Sequence, residues 1–333
     1  MIQVKLTSAN PSWPLERQTP GNSGIWGRTK FLVNQPVNSC DFWVVYDDLP
    51  QTETVHCPPS GLILITAEPP SIKNYPPGFT AQFSTVITCQ KRIHHPNRIL
   101  HQQSLPWHIG RRQEKHQNIS FSKDYDELAS MKVIGKQRLI SVISSAKINT
   151  PGHKKRLSLV NDLSRHFGTR LDVFGRGLNE IEDKWDAVAP YAYHIVLENS
   201  SVKDYWTEKL SDCYLAGAFP IYFGCPNVND YFPREAFLEI PNNSRRAIPL
   251  IEAAIENNLF QKSTEALALA RRLVLNRYNL FAEASRLCND LPNREPARDV
   301  TLLPRREFIQ SNGFGRAVYS VKKVFVKLRR RSR

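Results

Sequence analysis

Three carboxylates and two lysines crowd one short stretch of the chain, residues 198–209. The apolar run His194-Ile195-Val196-Leu197 ends in Glu198-Asn199-Ser200-Ser201, and a helical pattern then begins around Asp204, Tyr205, Glu208 and Lys209. Leu210, Tyr214 and Leu215 give this helix an apolar face, Asp204 is its expected N-cap and Gly217 its terminator. A helix start carries N–H groups without intrahelical partners and the positive end of a dipole, so it suits an anion such as a phosphate group. Lys209 adds a full positive charge there. The same residues also fit a capped, solvated helix start, and spacing alone leaves both readings open.

Other chemistry-bearing residues are more scattered. The strand-like run Leu62-Ile63-Leu64-Ile65 leads to Glu68 beside Pro69-Pro70, a carboxylate at a turn. Asp47-Asp48 follows the run Phe42 to Tyr46 and reads as a turn pair rather than a metal site. His94, His95, His101, His108 and His116 lie in a proline-broken segment without metal-ligand spacing, so no metal is expected. Cys40, Cys57, Cys89, Cys213, Cys225 and Cys288 form no C-x-x-C pair and are expected to be reduced thiols.

These residues need a scaffold, and the pattern supplies an α/β one. In the first third, Lys30–Val33, Phe42–Tyr46, Leu62–Ile65 and Phe83–Ile87 are short apolar runs bounded by turn residues, as in a buried parallel sheet. Residues 90–118, rich in His, Arg and Gln and broken by Pro96 and Pro106, read as a long exposed connection. From residue 138 strands and helices alternate: strand 138–144, helix 153–167, strand 170–174, strand 191–197, helix 205–216, strand 218–223, then helices near 246–258 and 263–287. That alternation predicts a doubly wound sheet. The expected domains are 1–135, 136–300 and a basic tail, 301–333.

The formal net charge is +14, but the eight basic residues from Arg316 onward leave only +6 for residues 1–315. A nucleic-acid partner is therefore not expected. In the tail, Val318, Val321, Phe325 and Leu328 share one helical face with lysines around it, the pattern of a helix lying on an anionic membrane surface. No run approaches the ~20 apolar residues of a membrane span, and the start of the chain reads as a strand. The expected location is cytoplasmic, peripheral on the cytoplasmic membrane face.

Glu198-Asn199-Ser200, Asp204-Tyr205, Thr207-Glu208-Lys209 and Pro220-Ile221-Tyr222-Phe223-Gly224 together resemble the signature region of the α-1,3/4-fucosyltransferases, glycosyltransferase family 10, in its bacterial type. Asp172-Val173-Phe174-Gly175-Arg176-Gly177 resembles the same family. The resemblance covers roughly residues 138–241. It implies a GT-B architecture, two Rossmann-like domains facing across a cleft, with GDP-fucose in the C-terminal lobe and no required cofactor or metal. Carried over by position, Asn199, Tyr205, Glu208 and Lys209 would contact the nucleotide sugar and Arg156 the diphosphate, with Arg176 and Glu198 in support. Glu68 would be the general base of an inverting transfer to a hydroxyl of a glycan acceptor, with a lipid-linked glycan as in lipopolysaccharide among the expectations. The same fold with another nucleotide-diphosphate sugar, and a non-catalytic membrane- or nucleic-acid-binding protein, are the competing expectations.

Overall fold

The computed structural model describes residues 1–112, 120–132, 135–144, 151–175, 177, 179–291 and 295–310. The chain divides into two compact units. The first comprises Met1–Pro14, Arg28–Leu100 and the chain from Leu287, and the second Leu15–Gly27 and His101–Arg286. These are the two α/β lobes expected of a GT-B chain, but each is discontinuous in sequence. Residues 101–135, expected in the first lobe, belong to the second unit, and the chain returns to the first at Leu287.

In the first unit the parallel strands run in the order Thr29–Val33, Ile2–Ser8, Phe42–Tyr46, Leu62–Ile65, Thr85–Thr88, Arg98–Leu100. Phe42–Tyr46 and Leu62–Ile65 are buried along their whole length, as in a sheet covered on both faces. Trp43, Val45, Leu64, Phe79, Phe83 and Val86 form the core. A second, antiparallel pair joins Glu53–Cys57 to Arg298–Leu302. The tail expected over 301–333 thus begins with residues that pack in this unit. Arg298–Leu302 and the helix Arg305–Gln310 are part of the unit, with Arg305 on Asp48 and Phe308 against Phe79. The amphipathic pattern from Val318 to Leu328 lies outside the described residues.

In the second unit the parallel strands run Leu171–Phe174, Arg138–Ile143, Tyr191–Leu197, Phe219–Phe223, Leu238–Glu239. Numbered along the chain this is the order 2-1-3-4-5, the doubly wound arrangement whose direction of winding reverses between strands 1 and 3. Tyr191–Leu197 is buried throughout, and the helices Pro151–Phe167 and Glu208–Leu215 follow the two strands that flank the reversal. The long helix expected over 263–287 is two helices, Thr264–Asn276 and Leu280–Asp290.

Of residues 90–118, expected to be an exposed loop, 101–110 lie in this unit and most of them are buried. Gln102, Gln103, Ser104, Trp107 and Ile109 are buried, and Trp107 and Ile109 join the core. Asp212 accepts the N–H groups of His108 and Ile109, Asp183 accepts that of Gly110, and Arg17 donates to the carbonyls of Trp107, Ile109 and Lys123. Side chains from outside the segment thus satisfy its buried backbone.

Candidate active site

Ligands of open α/β sheets sit beyond the carboxyl ends of the strands where the winding reverses. In the second unit those ends are Ile143 and Leu197, and Glu198 and Asn199 follow the latter directly. The sequence marks this place, and the structure refines how it is built.

The helix begins at Glu208, three residues later than an N-cap at Asp204 would place it. Thr207 is the N-cap, its hydroxyl accepting the Lys209 N–H. Asp204 cannot serve because its own side chain is taken: Oδ1 accepts from Asn227 and Tyr231, and the residue is held in the left-handed region at φ 59°. The terminator is as expected. Gly217 takes φ 67°, donating to the Tyr214 carbonyl while Ala218 donates to that of Cys213, the paired bonds of a Schellman ending.

Glu198 reaches the start of this helix from the strand end. Its side chain is fully buried, and it accepts the N–H of Thr207 at 2.8 Å and the Thr207 hydroxyl. Gly224 allows this, since a Cβ there would lie 2.5 Å from Glu198 Cγ and against the Tyr222 hydroxyl. Lys209 Nζ stands 3.3 Å from Glu198, 3.3 Å from Glu208 and 3.0 Å from the Thr207 hydroxyl. Burial opposes the charge of Lys209, but the Glu198 and Glu208 carboxylates outweigh it and hold the ammonium above its ordinary value. Burial likewise opposes the charge of Glu208, and Lys209, His108 and Lys184 overcome it, holding the carboxyl well below its ordinary value. For Glu198 burial prevails over Lys209 and the carboxyl is pushed up.

Arg156, on the helix after strand 1, is buried and donates to Asn199 Oδ1. Burial lowers its guanidinium value, with Glu198 acting against it. The structure thus brings Arg156, Glu198, Asn199, Glu208 and Lys209 to one edge of one sheet. Tyr205 is buried in the same connection, between Asn199 and the helix. Arg176 lies outside the described residues. Glu68 belongs to the first unit, past the end of Leu62–Ile65, its carbonyl accepting from Gln90.

Four residues of this group were not singled out as site residues from the sequence. Lys184 lies 3.7 Å from Glu208 and 2.9 Å from Asp212, and His108 Nδ1 lies 3.8 Å from Glu208. Thr207 had a local signal, a hydroxyl residue directly before Glu208-Lys209. His108, Lys184 and Asp212 had none, because the fold alone brings these separated positions together. With them, the Glu198, Glu208 and Asp212 carboxylates in this group are matched by Arg156, Lys184 and Lys209.

Residues 133–247 match glycosyltransferase family 10 (fucosyltransferase), C-terminal domain. This segment is similar to that family over about a third of the chain. The matched segment holds all the described residues of the edge except His108. The chain is 35% identical over 115 residues to mouse (Mus musculus) alpha-(1,3)-fucosyltransferase 4, covering 30% of this chain and 25% of that protein. It is 30% identical over 112 residues to 4-galactosyl-N-acetylglucosaminide 3-alpha-L-fucosyltransferase 9 of Cricetulus griseus, covering 32% and 30% respectively. The matched region thus spans less than a third of either relative. Among solved structures, an alpha1,3-fucosyltransferase crystallised with GDP-fucose aligns over 84% of this chain and 92% of its own, with TM-score 0.45 and 13% identity. Among the described residues, no helix is long and apolar enough to cross a membrane, and no group of His, Cys, Asp and Glu is arranged to hold a metal ion. The six cysteines are buried and form no disulfide.

Proposed function

We propose that this protein transfers fucose from GDP-fucose to a hydroxyl of a glycan acceptor with inversion at the sugar. The observation that carries this reading is the charged edge of the family 10 segment, where Arg156, Asn199, Glu208 and Lys209 meet at the reversal of strand order. As the glycosidic bond breaks, negative charge gathers on the departing GDP while the sugar becomes oxocarbenium-like. Arg156 and Lys209 stabilise the diphosphate, and Glu198 and Thr207 hold the Lys209 ammonium in place. Glu208, fixed by Lys209 and Lys184, accepts hydrogen bonds from the sugar hydroxyls, and Asn199 and Tyr205 seat the donor. Glu68 accepts the proton of the acceptor hydroxyl as its oxygen bonds to the anomeric carbon.

In this reading side chains supply the cations that oppose the leaving-group charge, so no metal or other cofactor takes part. The acceptor is a glycan, lipid-linked in the manner of lipopolysaccharide, and the basic segment from Arg316 holds the protein peripherally on the cytoplasmic membrane face. The unequal distribution of charge along the chain supports that location. The acceptor named in the Cricetulus griseus relative, a 4-galactosyl-N-acetylglucosaminide, is the first to try. Fucose transfer to it from GDP-fucose, followed by product analysis, tests the reaction. GDP-mannose and UDP-galactose as competing donors test the choice of sugar, and transfer from one of them in preference to GDP-fucose would overturn it.

A further inference from the structure

Glu68 stands where its own sheet can no longer hold it. The last ladder bond of this strand is the Thr66 N–H to the Ile87 carbonyl, and Pro69 and Pro70 follow without N–H groups of their own. The N–H groups of Ala67 and Glu68 are instead both accepted by the hydroxyl of Tyr75, at 3.1 and 3.3 Å. That hydroxyl donates to Asp47 Oδ1 at 2.5 Å, so one donor and two acceptor positions are all used. Gln90 clamps the other side, its amide donating to the carbonyls of Glu68 and Lys73 at 2.8 and 2.9 Å. Lys73 Nζ completes the group 2.8 Å from Asp47 Oδ2.

Packing does not require this arrangement. The Tyr75 ring is 3% exposed and stacks on Phe79 at 6.4 Å, a place a phenylalanine would fill as well. The hydroxyl brings the burden of a buried polar group together with Asp47, itself held at φ 72° in the left-handed region that few non-glycine residues adopt. Strain and buried polar networks of this kind gather where a side chain has to be aimed. Burial and the Asp47 carboxylate keep the phenol protonated, so it remains the donor to Asp47.

We infer that Tyr75, braced by Asp47 and Lys73, is a positioning residue that together with Gln90 aims the Glu68 carboxylate at the acceptor hydroxyl. The inference rests on Glu68 being the general base. The test is a double-mutant cycle on the full chain with Tyr75→Phe, Glu68→Gln and the double variant, using GDP-fucose and a 4-galactosyl-N-acetylglucosaminide, with melting temperature and GDP affinity measured alongside. Displacing a reacting group by about 1 Å can cost about 100-fold, so Tyr75→Phe is expected to lower kcat by about 10- to 100-fold. GDP affinity should stay within about twofold, and the acid limb of the pH profile should move. In the Glu68→Gln background Tyr75→Phe should cost almost nothing further, because two residues acting as one unit are not additive. Asp47→Asn, which keeps an acceptor for the Tyr75 hydroxyl, should lie between Tyr75→Phe and the unaltered protein. A Tyr75→Phe protein that melts earlier yet turns over within about twofold of the unaltered one would overturn the inference, as would equal losses in both backgrounds. An active Glu68→Gln protein would instead overturn the assignment of the base.

Discussion

The two units place charged residues at the same edge of similarly wound parallel sheets, yet they build that edge in opposite ways. In the second unit the ionisable groups lean on one another: Glu198, Lys209, Glu208 and Lys184 form a chain of ion pairs around a helix start, with Arg156 held through Asn199. In the first unit Glu68 is fixed through its main chain, by a tyrosine hydroxyl and a glutamine amide. The difference matches what each would have to do. A site for a diphosphate needs cations whose positions and charge states are locked, whereas a base must keep a carboxylate able to take a proton. Under the proposed function, the same kind of sheet edge binds the donor in one unit and takes up a proton in the other.

The largest effect expected from this contrast is that of Glu68→Gln, which should lower kcat by about 10²- to 10⁴-fold in fucose transfer while leaving GDP-fucose affinity unchanged by calorimetry. Arg156→Ala should affect donor binding as well as turnover. It removes a charge-assisted contact worth about 1.5 to 3 kcal/mol, weakening donor binding and slowing turnover by about ten- to a hundredfold. If Glu68→Gln weakened donor binding and Arg156→Ala did not, the division between the units would fail.

A smaller effect concerns the buried pair Ser141 and His194, 2.8 Å apart in the core of the second unit. Burial, aided by Lys184, pushes the His194 imidazole down to about 3. The unfolded chain therefore binds a proton near the ordinary value of about 6.5 that the folded chain refuses. The stability carried by neutral His194 is complete above that value and is lost as pH falls from it towards about 3. Denaturant melts between pH 7 and pH 4 should show this slope of about one proton, and it should be reduced in His194→Asn. The smallest effect is expected of Thr207→Ala, which loses a helix cap and should cost about 1 to 2 kcal/mol in denaturant melts, with Thr207→Ser restoring most of it.

Much of this was legible in the sequence where one local rule dominated. Apolar runs with turn residues gave the strands Phe42–Tyr46, Leu62–Ile65, Tyr191–Leu197 and Phe219–Phe223 nearly to the residue. The position of Gly217 gave the end of the helix. The reading failed where distant partners decide. Asp204 has the better intrinsic cap chemistry, but Asn227 and Tyr231 claim its carboxylate and the cap passes to Thr207. Residues 101–110 are polar enough for a surface loop, but Arg17, Asp183 and Asp212 supply partners that make their burial possible. Asp47 was read as a turn residue, which its backbone supports, while its bonds to Lys73 and Tyr75 depend on a contact made 26 to 28 residues away.

The central claim is that Lys209, locked between Glu198 and Glu208, holds the diphosphate of a GDP-sugar without a metal ion. Calorimetric titration of the protein with GDP-fucose, with and without EDTA and alongside Lys209→Ala, tests it most directly. The account predicts binding that is indifferent to EDTA and lost or severely weakened in Lys209→Ala. Binding that EDTA abolishes, or that Lys209→Ala retains in full, would contradict it.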